Sequence, residues 1–418
     1  MDIVSRLQLI NWLVNQGLTG LPENELVRGF CERCRANGLE LSRGTVFIDM
    51  LHPILEGHGF RWNDTETDES NRFEYGSTSE GVAAENWRRS TFHHMLEHGF
   101  DELQIDLADG ASLDFTAIDE LAGRGHRHLL AFVHRLGDGA IGQMDCVYSS
   151  WLTRRAAGFD VQSLAALREL VPALGLAIKS ATQVAIARTL GEVYLGRGAS
   201  RQVLRGRISR GVTERISAVL WFSDLRGSTA IAESIAPDEI IPFLNDYAQA
   251  AIDAIHDEGG DVLKLIGDGV LAMFIGDDMA LASRAALRAE HRFRRNMRSL
   301  NARREADARP TTSAHLGLHV GEVFYGNIGS EDRLDFTAVG PAVNEVSRIA
   351  SMCRSVDREL LASSDFRNGL DLAGRAYLVS TGRFAMRGIG HAQDLYTLDP
   401  QLASDEAMGG GYAKYLTK

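Results

Sequence analysis

Ala218-Val219-Leu220-Trp221-Phe222-Ser223-Asp224 and, further along, Lys264-Leu265-Ile266-Gly267-Asp268-Gly269-Val270-Leu271-Ala272-Met273-Phe274 set two carboxylates into an otherwise apolar framework. The first run is bulky and apolar, so it reads as a buried strand ended by Asp224, just before a helix opened by Arg226-Gly227-Ser228-Thr229. The second reads as a hairpin: an apolar run, a Gly-Asp-Gly turn, another apolar run. Taken singly, each aspartate does no more than serve a turn or a strand end. Brought side by side at the ends of neighbouring strands, they make a hard-oxygen site suited to Mg²⁺, which takes one or two carboxylates and completes its shell with substrate phosphates. The backbone N–H groups of Gly227, Ser228 and Thr229 at the helix start favour an anion beside it. Metal and phosphate together mean nucleotide chemistry.

Three blocks carry a family resemblance. Phe222-Ser223-Asp224-Leu225-Arg226-Gly227-Ser228-Thr229, then Lys264-Leu265-Ile266-Gly267-Asp268, then Asp335-Phe336-Thr337-Ala338-Val339-Gly340-Pro341-Ala342-Val343-Asn344-Glu345-Val346-Ser347-Arg348 resemble, in order and spacing, the signature blocks of the class III nucleotidyl (adenylate/guanylate) cyclases. The resemblance spans roughly residues 212–400.

It implies conversion of ATP to 3′,5′-cyclic AMP and pyrophosphate by attack of the ribose 3′-hydroxyl on the α-phosphorus. Asp224 and Asp268, with Leu225 beside the first, match the metal-binding positions, which implies two Mg²⁺ or Mn²⁺ per active site. Asn344 and Arg348 match the catalytic pair that orients the ribose and stabilises the charged phosphorane; four apart on a helix, they share a face. Gly227, Ser228 and Thr229 fall at the phosphates. So does Arg387, within Phe384-Ala385-Met386-Arg387-Gly388-Ile389-Gly390, although the family often has Lys there. Lys264 and Thr337 match the base-reading positions in the combination that goes with adenine, whose N1 accepts a hydrogen bond from a Lys donor. The family's geometry divides the site between protomers, implying a homodimer in which the aspartates of one work with Lys264, Thr337, Asn344, Arg348 and Arg387 of the other. A guanylate cyclase and a non-catalytic ATP-sensing module are the alternatives.

The chain has 418 residues, too many for one ordinary domain. Its net charge of −12 argues against nucleic acid as a partner. The apolar runs fall short of the roughly 18 to 20 residues that span a bilayer, and the N-terminus lacks the pattern of a signal peptide, so a cytoplasmic protein without membrane insertion is expected. Four cysteines are too few for a disulfide framework. Cys31 and Cys34 form a lone CxxC that reads as ordinary helical cysteines, because no second pair completes a zinc site.

In order, the sequence predicts two helices over 1–38 and strands over 41–50 and 54–62. After a polar loop over 63–71 come a helix over 83–98, a strand over 102–107, a short helix over 116–122, and strands over 128–133 and 140–149. This pattern resembles a GAF or PAS-like sensor domain, whose regulatory ligand the sequence does not disclose. His94 and His98 stand at a metal-compatible i,i+4 spacing without a third ligand, and His126 and His128 are equally unspecific. Leu164, Leu167, Val171, Leu174, Ile178 and Ala181 repeat at steps of three and four, which reads as a short coiled-coil seam, or as a helix packed on its own domain, with Pro172 inside it. The Gly- and Arg-rich run over 196–211 reads as a linker. Gly259-Gly260-Asp261 superficially resembles the start of a diguanylate cyclase motif but lacks its Glu-Phe.

The expected fold class is therefore α+β: a ferredoxin-like βαββαβ cyclase catalytic domain, preceded by an α+β GAF/PAS-like domain and a helical linker. The expected boundaries are 1–159 for the sensor domain, 160–211 for the linker, 212–400 for the catalytic domain and 401–418 for a mobile tail.

Overall fold

The computed structural model describes residues 1–65, 72–107, 115–137, 145–399, 401 and 415–416. Two compact units emerge, Met1–Leu190 and Gly191–Lys418, each built on its own sheet.

The first unit runs α1 (Ile3–Thr19), α2 (Glu23–Ala36), β1 (Arg43–Asp49), β2 (Gly57–Asn63), β3 (Arg72–Tyr75), α3 (Gly81–Arg88), α4 (Thr91–His98), β4 (Glu102–Asp106), α5 (Ile118–Gly123), β5 (His128–Arg135), β6 (Cys146–Thr153) and α6 (Val161–Leu195). Its strands pair antiparallel throughout in the order β3-β2-β1-β6-β5-β4. Both faces are covered. Val46 and Ile48 of β1 enter a core shared with α1, α2 and α6, whereas Phe47 packs against a second core containing Phe92 and Met95 of α4 and Leu121 of α5. A strand buried on both sides reads as a continuous apolar run, which is why β5 was visible in the sequence.

Two local expectations change. The helix expected over 83–98 is two helices, because the Ser90 side chain accepts a hydrogen bond from His93 N and caps a new start. Strand β3 falls in a short, half-buried Arg-Phe-Glu-Tyr run at the sheet edge, where no alternation is long enough to read. The loop expected over 63–71 lies partly outside the described residues, as does the start of the strand expected over 140–149.

Helix α6 settles the two readings of its seam. Leu167, Val171, Leu174 and Ile178 are buried in the unit's own core together with α1 and α2, and Leu164 and Ala181 pack against its margin. This apolar stripe is therefore not available as a seam for a second chain. Pro172 neither splits nor ends the helix. Asp160 caps its start, accepting from Ser163 N at 2.8 Å, which together with Arg155 holds its carboxyl down at about 2. By length and mean hydropathy alone α6 could cross a bilayer, contrary to the sequence expectation, but a core helix passes the same test.

The second unit runs α7 (Arg197–Leu204), β7 (Thr213–Leu225), α8 (Ser228–Ser234), α9 (Pro237–Asp257), β8 (Asp261–Ile266), β9 (Gly269–Phe274), α10 (Met279–Ala306), β10 (Ala314–Gly329), β11 (Leu334–Val339), α11 (Pro341–Met352), β12 (Leu360–Ser363), α12 (Ser364–Gly369), α13 (Leu372–Arg375), β13 (Leu378–Phe384) and β14 (Gln393–Leu398). Strands β10-β7-β9-β8 lie side by side and antiparallel. With α9 and α10 as the crossing helices, this is the expected ferredoxin-like arrangement. Strand β12 joins β10 in parallel and extends the sheet through β14 to β13, while β11 folds back on β10.

The pleat divides β7 between two cores. Val219, Trp221 and Leu225 face α9 and α10; Ala218 and Leu220 face α11 and α7. Trp221 is fully buried, and truncating such a ring to Ala costs about 3–5 kcal/mol. Helix α11 lies close on the second face because β10 offers glycines there. A Cβ at Gly317 would stand 2.5 Å from Val346 O, and one at Gly321 2.5 Å from the Ala342 Cβ.

The supposed linker is also structured. Helix α7 buries Ala199 and Ser200, and Ala199 joins the core of Leu220, Leu263 and Leu271 with Leu195 and Val203 against it. Gly198 N donates to Asp261 Oδ1 at 3.0 Å. Asp261, part of the false diguanylate cyclase lead, is thus the anchor of α7. Most of the tail expected to be mobile, 402–414, lies outside the described residues. Tyr415 and Leu416 correct that expectation, being buried in the core with Phe366 and Leu370.

Candidate active site

Strand β7 ends at Leu225, so its pleat puts Asp224 on the same face as Leu220 and Phe222, the face that carries α11. Asp268 occupies the turn between β8 and β9, and β9 pairs with β7 up to Val270 opposite Ser223. The two carboxylates consequently meet. Burial raises the Asp224 pKa, and the neighbouring Asp268 carboxylate raises it further, while Leu225 N–H and the charge of Arg354 favour the ionised form. Asp268 Oδ2 is buried with no hydrogen-bond partner among the described residues.

An unsatisfied buried carboxylate oxygen beside a like-charged neighbour is costly. A divalent cation removes both penalties, and two adjoining carboxylates are the hard-oxygen donors that suit Mg²⁺ or Mn²⁺. The residues therefore fit the metal. Among the described residues no group of three or more His, Cys, Asp or Glu side chains forms a metal cluster, so the remaining ligands of such an ion come from substrate and water. Gly227, in the left-handed region at φ 71°, opens the short helix α8, whose first residues Ser228 and Thr229 have no side-chain cap.

Lys264 projects from β8, half-exposed, and its Nζ forms an ion pair with Asp335 of β11. Thr337 lies two residues along β11, on the same side of the strand as Asp335, and is buried opposite Gly326. Lys264 and Thr337 are thereby brought to one locality. Sequence reading missed Asp335, whose ion pair joins strands far apart in the chain.

Asn344 and Arg348 lie on α11, where Ala342, Val346, Ile349 and Ala350 are buried and these two are exposed. At about 100° per residue they point away from the sheet, and so away from the aspartate pair of the same chain. Arg387 is exposed in the β13–β14 connection. The side chains of Asn344, Arg348 and Arg387 make no hydrogen bond or ion pair among the described residues. Asn344 borders a cavity of about 720 Å³ whose other wall is the Gly388–His391 loop, so the start of α11 and the segment after Arg387 face a common space.

The remaining candidates are structural. Cys31 and Cys34 are buried and their thiols are pushed up by burial, which disfavours the thiolate needed for redox or metal work. The His94 and His98 ring centroids lie 4.2 Å apart with the rings tilted by 35°, and His98 Nδ1 donates to His94 O. His126 is a core histidine bonded to Ser42 Oγ at 2.8 Å.

Residues 212–399 match the family model of the adenylate and guanylate cyclase catalytic domain. Among its relatives, the terminal-differentiation-specific adenylate cyclase of Dictyostelium discoideum is 35% identical over 35% of this chain and 7% of its own length. The adenylate cyclase of Anabaena cylindrica is 31% identical over 37% of this chain and 31% of its own. The chain thus spans a third or less of these relatives. The crystal structure of the adenylyl cyclase CyaB from P. aeruginosa aligns with 45% of this chain and 96% of that one, at 23% identity and a TM-score of 0.41.

Proposed function

We propose that the C-terminal unit is an adenylate cyclase that converts ATP to 3′,5′-cyclic AMP and pyrophosphate as a cytoplasmic homodimer with two equivalent sites. The observation that carries this reading is a division of surfaces. The aspartate pair, with its unsatisfied Asp268 oxygen, faces the α11 side of the sheet, whereas the free Asn344 and Arg348 look outward from the far side of α11. These are two halves of one site that a single chain does not close, and a two-fold partner brings them together.

Asp224, Asp268 and the Leu225 carbonyl would hold two Mg²⁺ or Mn²⁺, which would supply acidification of the ribose 3′-hydroxyl and neutralisation of the triphosphate. Arg348 offers a rigid fork of donors to the charge that builds on the phosphorane oxygens, and Asn344 orients the ribose. Arg387 and the α8 start, Gly227 to Thr229, bind the phosphates. Lys264, steered by Asp335, donates to adenine N1, and Thr337 takes the exocyclic amine. Guanine would set its own N–H donors against Lys264, an unpaired contact that disfavours GTP.

We read the N-terminal unit as a GAF/PAS-like sensor that regulates this activity, on the strength of its two-sided antiparallel sheet. The deciding experiment incubates the full chain with ATP or GTP and Mg²⁺ or Mn²⁺ and identifies the product by mass. Cyclic AMP from ATP is expected. Cyclic GMP alone would overturn the base assignment, and pyrophosphate release without a cyclic product would overturn the reaction.

A further inference from the structure

The N-terminal unit holds a cavity of about 690 Å³ between its sheet and the helices α3 to α5. Its floor is the face of β1 that carries Arg43, Thr45, Phe47 and Asp49 in alternation, continued by Tyr148 and Ser150 of β6, which pair opposite Phe47 and Thr45. Two glycines shape one wall. Gly57 and Gly59 of β2 pair with Asp49 and Phe47; a Cβ at Gly59 would stand 2.1 Å from the Phe73 ring and one at Gly57 2.1 Å from the Tyr75 hydroxyl. Without those side chains, Phe73 and Tyr75 of β3 lean across β2 into the space.

The rings form a connected box. Phe47 lies 5.5 Å from Phe73 and 5.6 Å from Phe92 between centroids, and Tyr148 lies 5.3 Å from Phe92 and 5.7 Å from Trp87. Acid gathers at one end, where Asp49, Glu56 and Asp145 all border the cavity. Glu56 is satisfied by Thr78. Asp49 accepts only the Tyr75 hydroxyl, at 2.7 Å on Oδ1, leaving its second oxygen without a partner among the described residues. The cations stand away from that end: Arg43 is six residues back along β1, about 20 Å away at the rise of a strand, and Arg61 of β2, opposite Thr45, sets its guanidinium over the Phe73 ring at 5.0 Å.

We propose that this cavity binds a planar aromatic amine, its ring enclosed by Phe47, Phe73, Phe92, Trp87 and Tyr148 and its cationic nitrogen on Asp49. Aromatic faces attract a cation, and a carboxylate that already shares its end of the cavity with two other acids gains most from one. A space of this volume walled by rings suits an organic ion, and its carboxylates form no metal cluster among the described residues. Burial and the charges of Glu56 and Asp145 push Asp49 up to about 6, against which the Tyr75 hydrogen bond works. An ammonium beside Asp49 offsets the neighbouring negative charges and favours the carboxylate.

The test is isothermal titration of the full chain with tryptamine and 9-aminoacridine, against indole-3-propionate and acridine-9-carboxylate, which keep the rings and reverse the charge. It reads binding alone and does not depend on cyclase activity. At least one amine is expected to bind at least tenfold more tightly than its carboxylate counterpart, and Asp49→Asn to weaken that amine at least tenfold while circular dichroism stays unchanged. Equal or tighter binding of the carboxylates, binding of neither amine up to millimolar concentration, or an Asp49→Asn protein that binds the amine as the wild type does would each overturn the proposal. The charge-reversed comparison needs no variant, so it decides even if Asp49→Asn fails to fold.

Discussion

Lys264 of β8 and Asp335 of β11 form an ion pair between two strands that are not neighbours in sequence. Both side chains are about half exposed, and a pair of that kind contributes no more than about 1 kcal/mol to stability. Its value lies in position: a flexible four-carbon stem is held in one place beside Thr337. Asp335→Asn is expected to leave the melting temperature within about 2 °C and to raise the KM for ATP severalfold, with kcat less affected. Lys264→Glu is expected to lower ATP turnover and raise the GTP-to-ATP product ratio, read as cyclic AMP and cyclic GMP by mass. An unchanged ratio would remove Lys264 from base recognition.

If each site draws the aspartates from one protomer and Arg348 from the other, two dead variants rescue one another. Asp224→Ala and Arg348→Ala should each lose at least about a hundredfold in kcat. Mixed in equal amounts and allowed to exchange, half of the dimers are mixed and each has one intact site, so about a quarter of wild-type activity returns. Continued silence in a mixture shown to have exchanged would mean that both residues serve the same chain's site.

The like-charged Asp224–Asp268 pair predicts opposite effects with and without metal. In EDTA, Asp268→Asn relieves repulsion and should be at least as stable as the wild type. With Mn²⁺ at a hundredfold excess over its dissociation constant, the wild type gains about 2.7 kcal/mol and the variant much less. Thermal melts in the two buffers give the comparison, and equal Mn²⁺ stabilisation of both proteins would argue against a metal on this carboxylate.

Helix α11 depends on Gly317. A Cβ there meets backbone on three sides, Val346 O, Ala350 N and Ala350 Cα, all within 3.2 Å, so a flexible side chain cannot yield to it. Gly317→Ala is expected to destabilise by about 2 kcal/mol in urea unfolding and to lower kcat by moving the helix that carries Asn344 and Arg348. Gly382→Ala, which meets only the Phe384 ring at 3.6 Å, isolates the strain of its positive φ from any clash.

His319 makes stability pH-dependent. It is buried, with Nδ1 on Ser363 Oγ at 2.9 Å, Glu345 at 3.8 Å and Asp365 near, and burial drives its pKa down to about 4. Between pH 6.5 and 4 the unfolded chain binds a proton that the folded chain refuses. The contribution of the neutral histidine is thus fully present above 6.5 and lost as pH falls toward 4, a change on the order of 3 kcal/mol. His319→Gln should flatten that part of the urea-midpoint profile relative to wild type, whatever its effect at pH 7.5.

Much of this was legible in the sequence wherever pattern and burial coincide. Strand β7 alternates between two cores and ends in Asp224, and the Gly267-Asp268-Gly269 turn sits between two apolar runs, so both aspartates could be placed before any coordinates. What escaped were features decided by long-range contact. The stripe on α6 has the spacing of a coiled coil, and nothing local says that α1 and α2 already cover it. Asp335 looks like an ordinary strand residue until β8 arrives beside β11. Tyr415 and Leu416 follow Gly409-Gly410-Gly411, which masked their return to the core.

Helix α7 bears on how the chain can be taken apart. The family match begins at residue 212, and a cut there looks natural beside so many glycines and arginines. Such a cut would strip Ala199 from the core it shares with Leu220 and Leu271 and leave Asp261 without the amide that anchors it, three residues upstream of Lys264. Loss of activity in that fragment would report a wounded active-site strand rather than the absence of a regulator. A fragment beginning at Gly191 keeps the strand's support, and only its activity can reveal what the preceding residues add or withhold.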